Sequence, residues 1–175
     1  MLPGMRRIAG LAVLFGAVLY GVHRLAMVAV AWLIGNQDMI VGLDCCVDYH
    51  RNAPDPWGNV LVAVSGVLAT QMVAWAAIGL LAARRGSARV LATLAGTAFV
   101  VSPLLQLIVY AVWHWAERDY VAVIDYLMDA TGLPEMALMA AMLGLFAGYA
   151  LIFWLGLRAA WDRATNTTAT AAPTP

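Results

Sequence analysis

Four apolar runs, each long enough to cross a bilayer, constrain this chain more than any other feature. They cover about residues 8–34, 57–83, 90–115 and 136–157. Some 20 apolar residues wound at about 1.5 Å rise match a hydrocarbon core roughly 30 Å thick. Inside that core the backbone must satisfy its own polar groups, which favours helices for runs of this kind. The expectation is an all-α, polytopic membrane protein: an antiparallel bundle of four transmembrane helices within residues 1–163. Composition agrees. The chain is 63% hydrophobic and 11% charged, against roughly 45–50% and 25% for soluble domains. From Ala164 to Pro175 only Ala, Thr, Asn and Pro occur, a composition expected to form a disordered cytoplasmic tail.

A cleaved leader is the rival for the first run. Arg6 and Arg7 precede apolar Ile8 to Val22, and Ala29-Val30-Ala31 has the small residues of a cleavage site. Apolar character resumes after Arg24 and continues to Ile34, further than a leader requires. Four retained spans are therefore expected.

Arginine sets the orientation. Lysine is absent, and Arg6, Arg7, Arg84, Arg85, Arg89, Arg158 and Arg163 share one side of such a bundle, leaving Arg51 and Arg118 opposite. The positive-inside rule then places both termini in the cytoplasm of a multi-pass cell-membrane protein. Asp38, Asp44, Asp48, Asp55 and the carboxylates from Glu117 to Glu135 fall outside, giving a negative outer face. Net charge is zero, and nothing points to nucleic acid.

The connections refine the bundle. The short turn from Arg84 to Arg89 contains Gly86 and makes the second and third spans antiparallel neighbours. Between the third and fourth spans, Tyr120, Val123, Ile124 and Leu127 repeat at helical spacing, with Asp125 and Asp129 on another face. This pattern predicts a short helix on the outer surface ending near Gly132. Pro134 and Glu135 suit the first turn of the fourth span.

Polar residues inside the spans are the candidate site. His23 and Arg24 lie near the centre of the first run, and Gln71 falls at similar depth in the second. In the third, Ser102, Gln106, Tyr110 and His114 recur every four residues and share a helix face. Pro103 removes a backbone donor and predicts a kink that frees a carbonyl near Phe99. No span holds a carboxylate to neutralise Arg24. Arg24 is therefore expected to face inward and touch Gln71 or Gln106. Such a cluster serves either as a hydrogen-bonded network fixing helix register or as a site for a quinone, lipid headgroup or ion. His23 and His114 lie at different depths, a poor geometry for two axial ligands of one haem. The sequence leaves the cofactor unassigned.

Outside the spans, Asp44-Cys45-Cys46-Val47-Asp48-Tyr49-His50 occupies the first outer connection. Cys45, Cys46 and His50 offer soft ligands for copper or zinc or a redox pair, although the spacing matches no common metal motif. Their structural alternative is an ordered loop or a simple disulfide. There is no H-E-x-x-H, G-x-S-x-G, phosphate loop or dinucleotide fingerprint. The leading expectation is thus a non-catalytic membrane subunit or small-molecule-binding bundle; the other is a redox or metal protein using Cys45, Cys46 and His50. Ala140, Gly144 and Gly148 form a small-residue strip for helix packing inside the bundle, or for a partner subunit or homodimer.

Overall fold

The computed structural model describes residues 3–35, 40–41, 47–48, 56–112 and 118–166. In chain order these form α1 (Pro3–Leu33), β1 (Ile40–Val41), β2 (Val47–Asp48), α2 (Pro56–Ala82), α3 (Ala88–Phe99), a wide helical turn (Val100–Leu104), α4 (Leu105–Val112), α5 (Arg118–Thr131) and α6 (Glu135–Asn166). The helix α3, the wide turn and α4 follow one another as a single kinked span. Four helices are long and apolar enough to cross a membrane: Gly4–Leu33, Val60–Ala82, Ala88–Val112 and Glu135–Asn166. They fit a multi-pass membrane protein. Between α1 and α2 the two short strands pair antiparallel, Ile40 with Asp48 and Val41 with Val47. That pairing had no signal in the sequence.

Local chemistry sets the ends. After α2 the chain enters the left-handed region at Arg84 (φ 57°). Arg84 N–H bonds the Leu81 carbonyl at 3.0 Å and Arg85 N–H the Leu80 carbonyl at 2.9 Å, a Schellman closure that satisfies carbonyls the helix leaves open. Gly132 (φ 69°) closes α5 with the simpler one-bond αL cap, its N–H reaching the Met128 carbonyl at 2.8 Å. The Pro134 carbonyl then accepts from Ala137 at 2.9 Å to start α6, with Glu135 in the positive first turn.

The last helix outruns its expected end. Ala164, Thr165 and Asn166 complete α6 rather than opening the tail. Arg163 lies in the last turn, where a cation opposes the negative helix end. Thr165 Oγ1 bonds the Trp161 carbonyl at 2.9 Å. Residues 167–175 lie outside those described.

Helix α2 is the hub, packing against α1, α3, α5 and α6. Its Ala74, Ala77 and Ile78 are buried with Leu19 of α1, Ala95 and Ala98 of α3, and Phe153 and Ala160 of α6. Alanines let backbones approach where lipid gives no hydrophobic drive for association. Phe99 stacks on Phe153 with centroids 4.6 Å apart, tying α3 to α6. In α5 the apolar face packs as the spacing predicts: Ile124 is buried with Tyr110 and Leu138, while Asp125 and Asp129 are exposed. Large apolar side chains are exposed on every long helix, including Val13, Leu25, Met72 and Leu145. A bilayer would cover such surface.

The small-residue strip on α6 does not pack inside the bundle. A Cβ at Gly144 or Gly148 would meet nothing within 4 Å, because these residues lie on the exposed side of α6. Close approach occurs instead at Gly66 and Gly156.

Candidate intramembrane site at the kink of the third span

Pro103 builds the site. Lacking an N–H, it cannot bond the Phe99 carbonyl, and its ring disfavours helical backbone at the preceding residue. Ser102 accordingly is extended (φ −162°, ψ 110°) within the wide turn. The helix resumes as Leu105 N–H bonds the Val100 carbonyl.

Side chains from neighbouring helices meet the opened backbone. Gln71 Nε2 donates to the Ala98 carbonyl at 3.1 Å and also to the Ser102 carbonyl. Thr70 Oγ1 bonds the Val67 carbonyl of its own helix at 2.8 Å and lies 3.3 Å from the Ser102 carbonyl. From α5, the Tyr120 hydroxyl donates to the Pro103 carbonyl at 3.4 Å. The other end of Gln71 is also engaged: Oε1 accepts from the Tyr149 hydroxyl of α6 at 2.6 Å, and that oxygen accepts from Trp75 Nε1 at 3.1 Å. One amide thus joins α2, the kink and α6. Trp75 is seated over Gly156, where a Cβ would come within 3.0 Å of its ring.

A second contact lies between α1 and α4. His23 and Gln106 meet through their Nε2 atoms at 3.1 Å, one as donor and the other as acceptor according to imidazole tautomer and amide orientation. The His23 ring is only 3% exposed and lies flat against Gly66 of α2. A Cβ there would stand 2.5 Å from His23 Cε1 and Nδ1. Glycine makes room for the imidazole.

Arg24 is a correction to the sequence expectation. It reaches neither Gln71 nor Gln106. Its Nε and Nη2 bond the Tyr20 hydroxyl at 3.1 and 3.0 Å, and its guanidinium carbon lies 5.3 Å from the Tyr20 ring centroid. Residues four apart share a helix face, so Tyr20 is the nearest polar partner. His23, about 100° away around α1, takes the inward position instead.

The regular stripe of the third span also divides. Ser102 offers its carbonyl to α2, Gln106 meets α1, and the Tyr110 hydroxyl donates to Glu135 Oε1 of α6 at 3.1 Å. Ser102 Oγ and Gln106 Oε1 are buried without a hydrogen-bond partner among the described residues. His114, Cys45, Cys46 and His50 lie outside the described residues. Sequence reasoning missed Tyr149 and the role of Trp75. The available signal was depth, since Trp75 stands well inside its span rather than at an interfacial belt.

Beside this network runs a groove of about 670 Å³ between α2 and α6. Leu68, Met72, Leu145 and Phe146 are among its apolar walls, and Gln71, Trp75 and Tyr149 supply its polar groups. Pro103 and Tyr120 also line it.

The fold is a helical bundle whose four long apolar helices fit a multi-pass membrane protein, with an apolar groove between α2 and α6. No protein-family model matches the chain, and comparisons with curated proteins and with solved structures give no significant match.

Proposed function

We propose that the protein is a non-catalytic membrane bundle that binds a lipid-soluble small molecule, such as a lipid or quinone, between α2 and α6. The observation that carries this reading is the groove of about 670 Å³ with one polar patch at Gln71, Tyr149 and Trp75. Ligand sites commonly measure roughly 300–1,000 Å³, with apolar walls and a few convergent polar groups. In this reading the four spans run antiparallel in the cell membrane with both termini cytoplasmic, and α5 rests on the outer surface. The open strip of Ala140, Gly144 and Gly148 meets a second copy or a partner subunit.

Native mass spectrometry of the full chain released from nanodiscs tests the ligand reading. Wild type should retain an apolar molecule, or take up an added lipid or quinone saturably. Leu145→Trp, which fills the groove from an exposed position, should lose it while remaining folded. Retention of the same molecule by Leu145→Trp, or no saturable binding by wild type, rejects the groove.

A further inference from the structure

The polar groups of the groove can be counted donor by donor, and the count selects a ligand. Trp75 Nε1–H is used by the Tyr149 oxygen, and the Tyr149 O–H by Gln71 Oε1. Both Gln71 Nε2 hydrogens point to backbone carbonyls, those of Ala98 and Ser102. Carbonyls only accept, so the orientation of this amide is fixed. The Tyr120 O–H is spent on the Pro103 carbonyl. Ser102, whose hydroxyl has no partner among the described residues, is fully buried and does not line the groove.

Acceptor capacity remains. Gln71 Oε1 has two lone pairs and accepts once from Tyr149. The Tyr149 oxygen has two lone pairs and accepts once from Trp75. Gln71 and Tyr149 both line the groove. Its polar patch therefore presents acceptors and no free side-chain donor.

We infer that the ligand is an apolar molecule carrying a hydrogen-bond donor, a hydroxyl on an otherwise hydrocarbon body, held through Gln71 Oε1 and the Tyr149 oxygen. The inference rests on the groove reading above and sharpens it. Long-chain alcohols, sterols and quinols have the required group. Quinones, ketones and esters bring only acceptors to a patch of acceptors. Of a quinol–quinone pair, the site selects the reduced member.

The test uses full-length protein in nanodiscs and a long-chain alcohol bearing a photoreactive diazirine. Labelled peptides are mapped by mass spectrometry, and labelling is competed with an unlabelled alcohol and its methyl ketone at equal mole fraction in the bilayer. Labelling should be saturable and fall on α2 and α6 peptides containing Met72 or Leu145. The alcohol should compete about three- to eighteenfold better than the ketone, the worth of one hydrogen bond in a membrane protein. Equal or better competition by the ketone overturns the donor requirement and leaves the groove standing. Absence of saturable labelling on these peptides overturns the groove itself. Tyr149→Phe supplies a second arm. It releases Trp75 Nε1–H as a donor facing the groove while Gln71 Oε1 still accepts, so the ketone should compete better in this variant than in wild type. Ketone competition unchanged from wild type in Tyr149→Phe counts against the donor count.

Discussion

Gly66→Ala probes the innermost contact between α1 and α2. The added Cβ would stand 2.5 Å from His23 Cε1 and Nδ1 and 2.7 Å from Nε2, so it strikes the ring broadside rather than at a flexible tip. The ring has little room to retreat, being 3% exposed and fixed to Gln106 at 3.1 Å. Overpacking of this kind costs about 1–3 kcal/mol. Displacing the ring also forfeits a hydrogen bond worth roughly 0.6–1.7 kcal/mol in a membrane bundle. Alanine returns about 0.8–1 kcal/mol through helix propensity. The net expectation is destabilisation by about 2 kcal/mol. Equilibrium unfolding in mixed micelles, followed by far-ultraviolet circular dichroism, measures it. Gly148→Ala is the control, because its Cβ meets nothing within 4 Å; it should be neutral or stabilising. His23→Ala combined with Gly66→Ala should recover part of the loss, since the clash disappears. If Gly66→Ala is as stable as Gly148→Ala, the seating of His23 on Gly66 is wrong.

Gln71→Leu strips both kink carbonyls of their side-chain donor and leaves the Tyr149 hydroxyl without its acceptor; a loss of about 2–4 kcal/mol is expected in the same unfolding assay. A loss below about 0.5 kcal/mol would show that the amide does not hold the kink. Arg24→Leu should insert at least as well as wild type and change stability by less than about 1 kcal/mol, because its described bonds go to Tyr20 on its own helix. Unfolding of that variant would reveal an internal partner. For topology, a reporter fused after Arg163 should be cytoplasmic and one inserted near Asn52 external; reversed signals reject the orientation. Cys45→Ser and Cys46→Ser should insert and assemble normally, losing at most a few kcal/mol. Stoichiometric copper or zinc in purified wild type, lost in either variant, would favour the redox or metal reading.

Axial position was legible in the sequence. Span length, the arginine-rich ends and the turn residues locate four apolar helices, and Pro103 announces the break in the third. The glycine at position 132 and Pro134 mark where α5 stops and α6 starts. Each of these signals depends on residues close in sequence, where backbone sterics and capping operate. The exception is the end of α6, which runs on through Ala164 and Thr165 to Asn166, into a stretch whose composition reads as tail.

Rotation about the helix axis was not legible, because it depends on a surface supplied by another helix. His23 and Arg24 have the same depth and differ only in direction, so either one satisfies a rule that polar residues face the bundle interior. Gly66 decides between them: it opens a flat recess that fits an imidazole, while Tyr20 gives the guanidinium a partner without leaving α1. The same ambiguity affects the stripe of Ser102, Gln106 and Tyr110. A spacing of four keeps residues on one face only while the helix stays regular. The extended backbone at Ser102 takes that residue out of register, so it turns its carbonyl to α2, while Gln106 and Tyr110, still four apart on regular α4, meet His23 of α1 and Glu135 of α6. A proline that marks a kink in sequence therefore also marks where helical spacing stops predicting which residues meet.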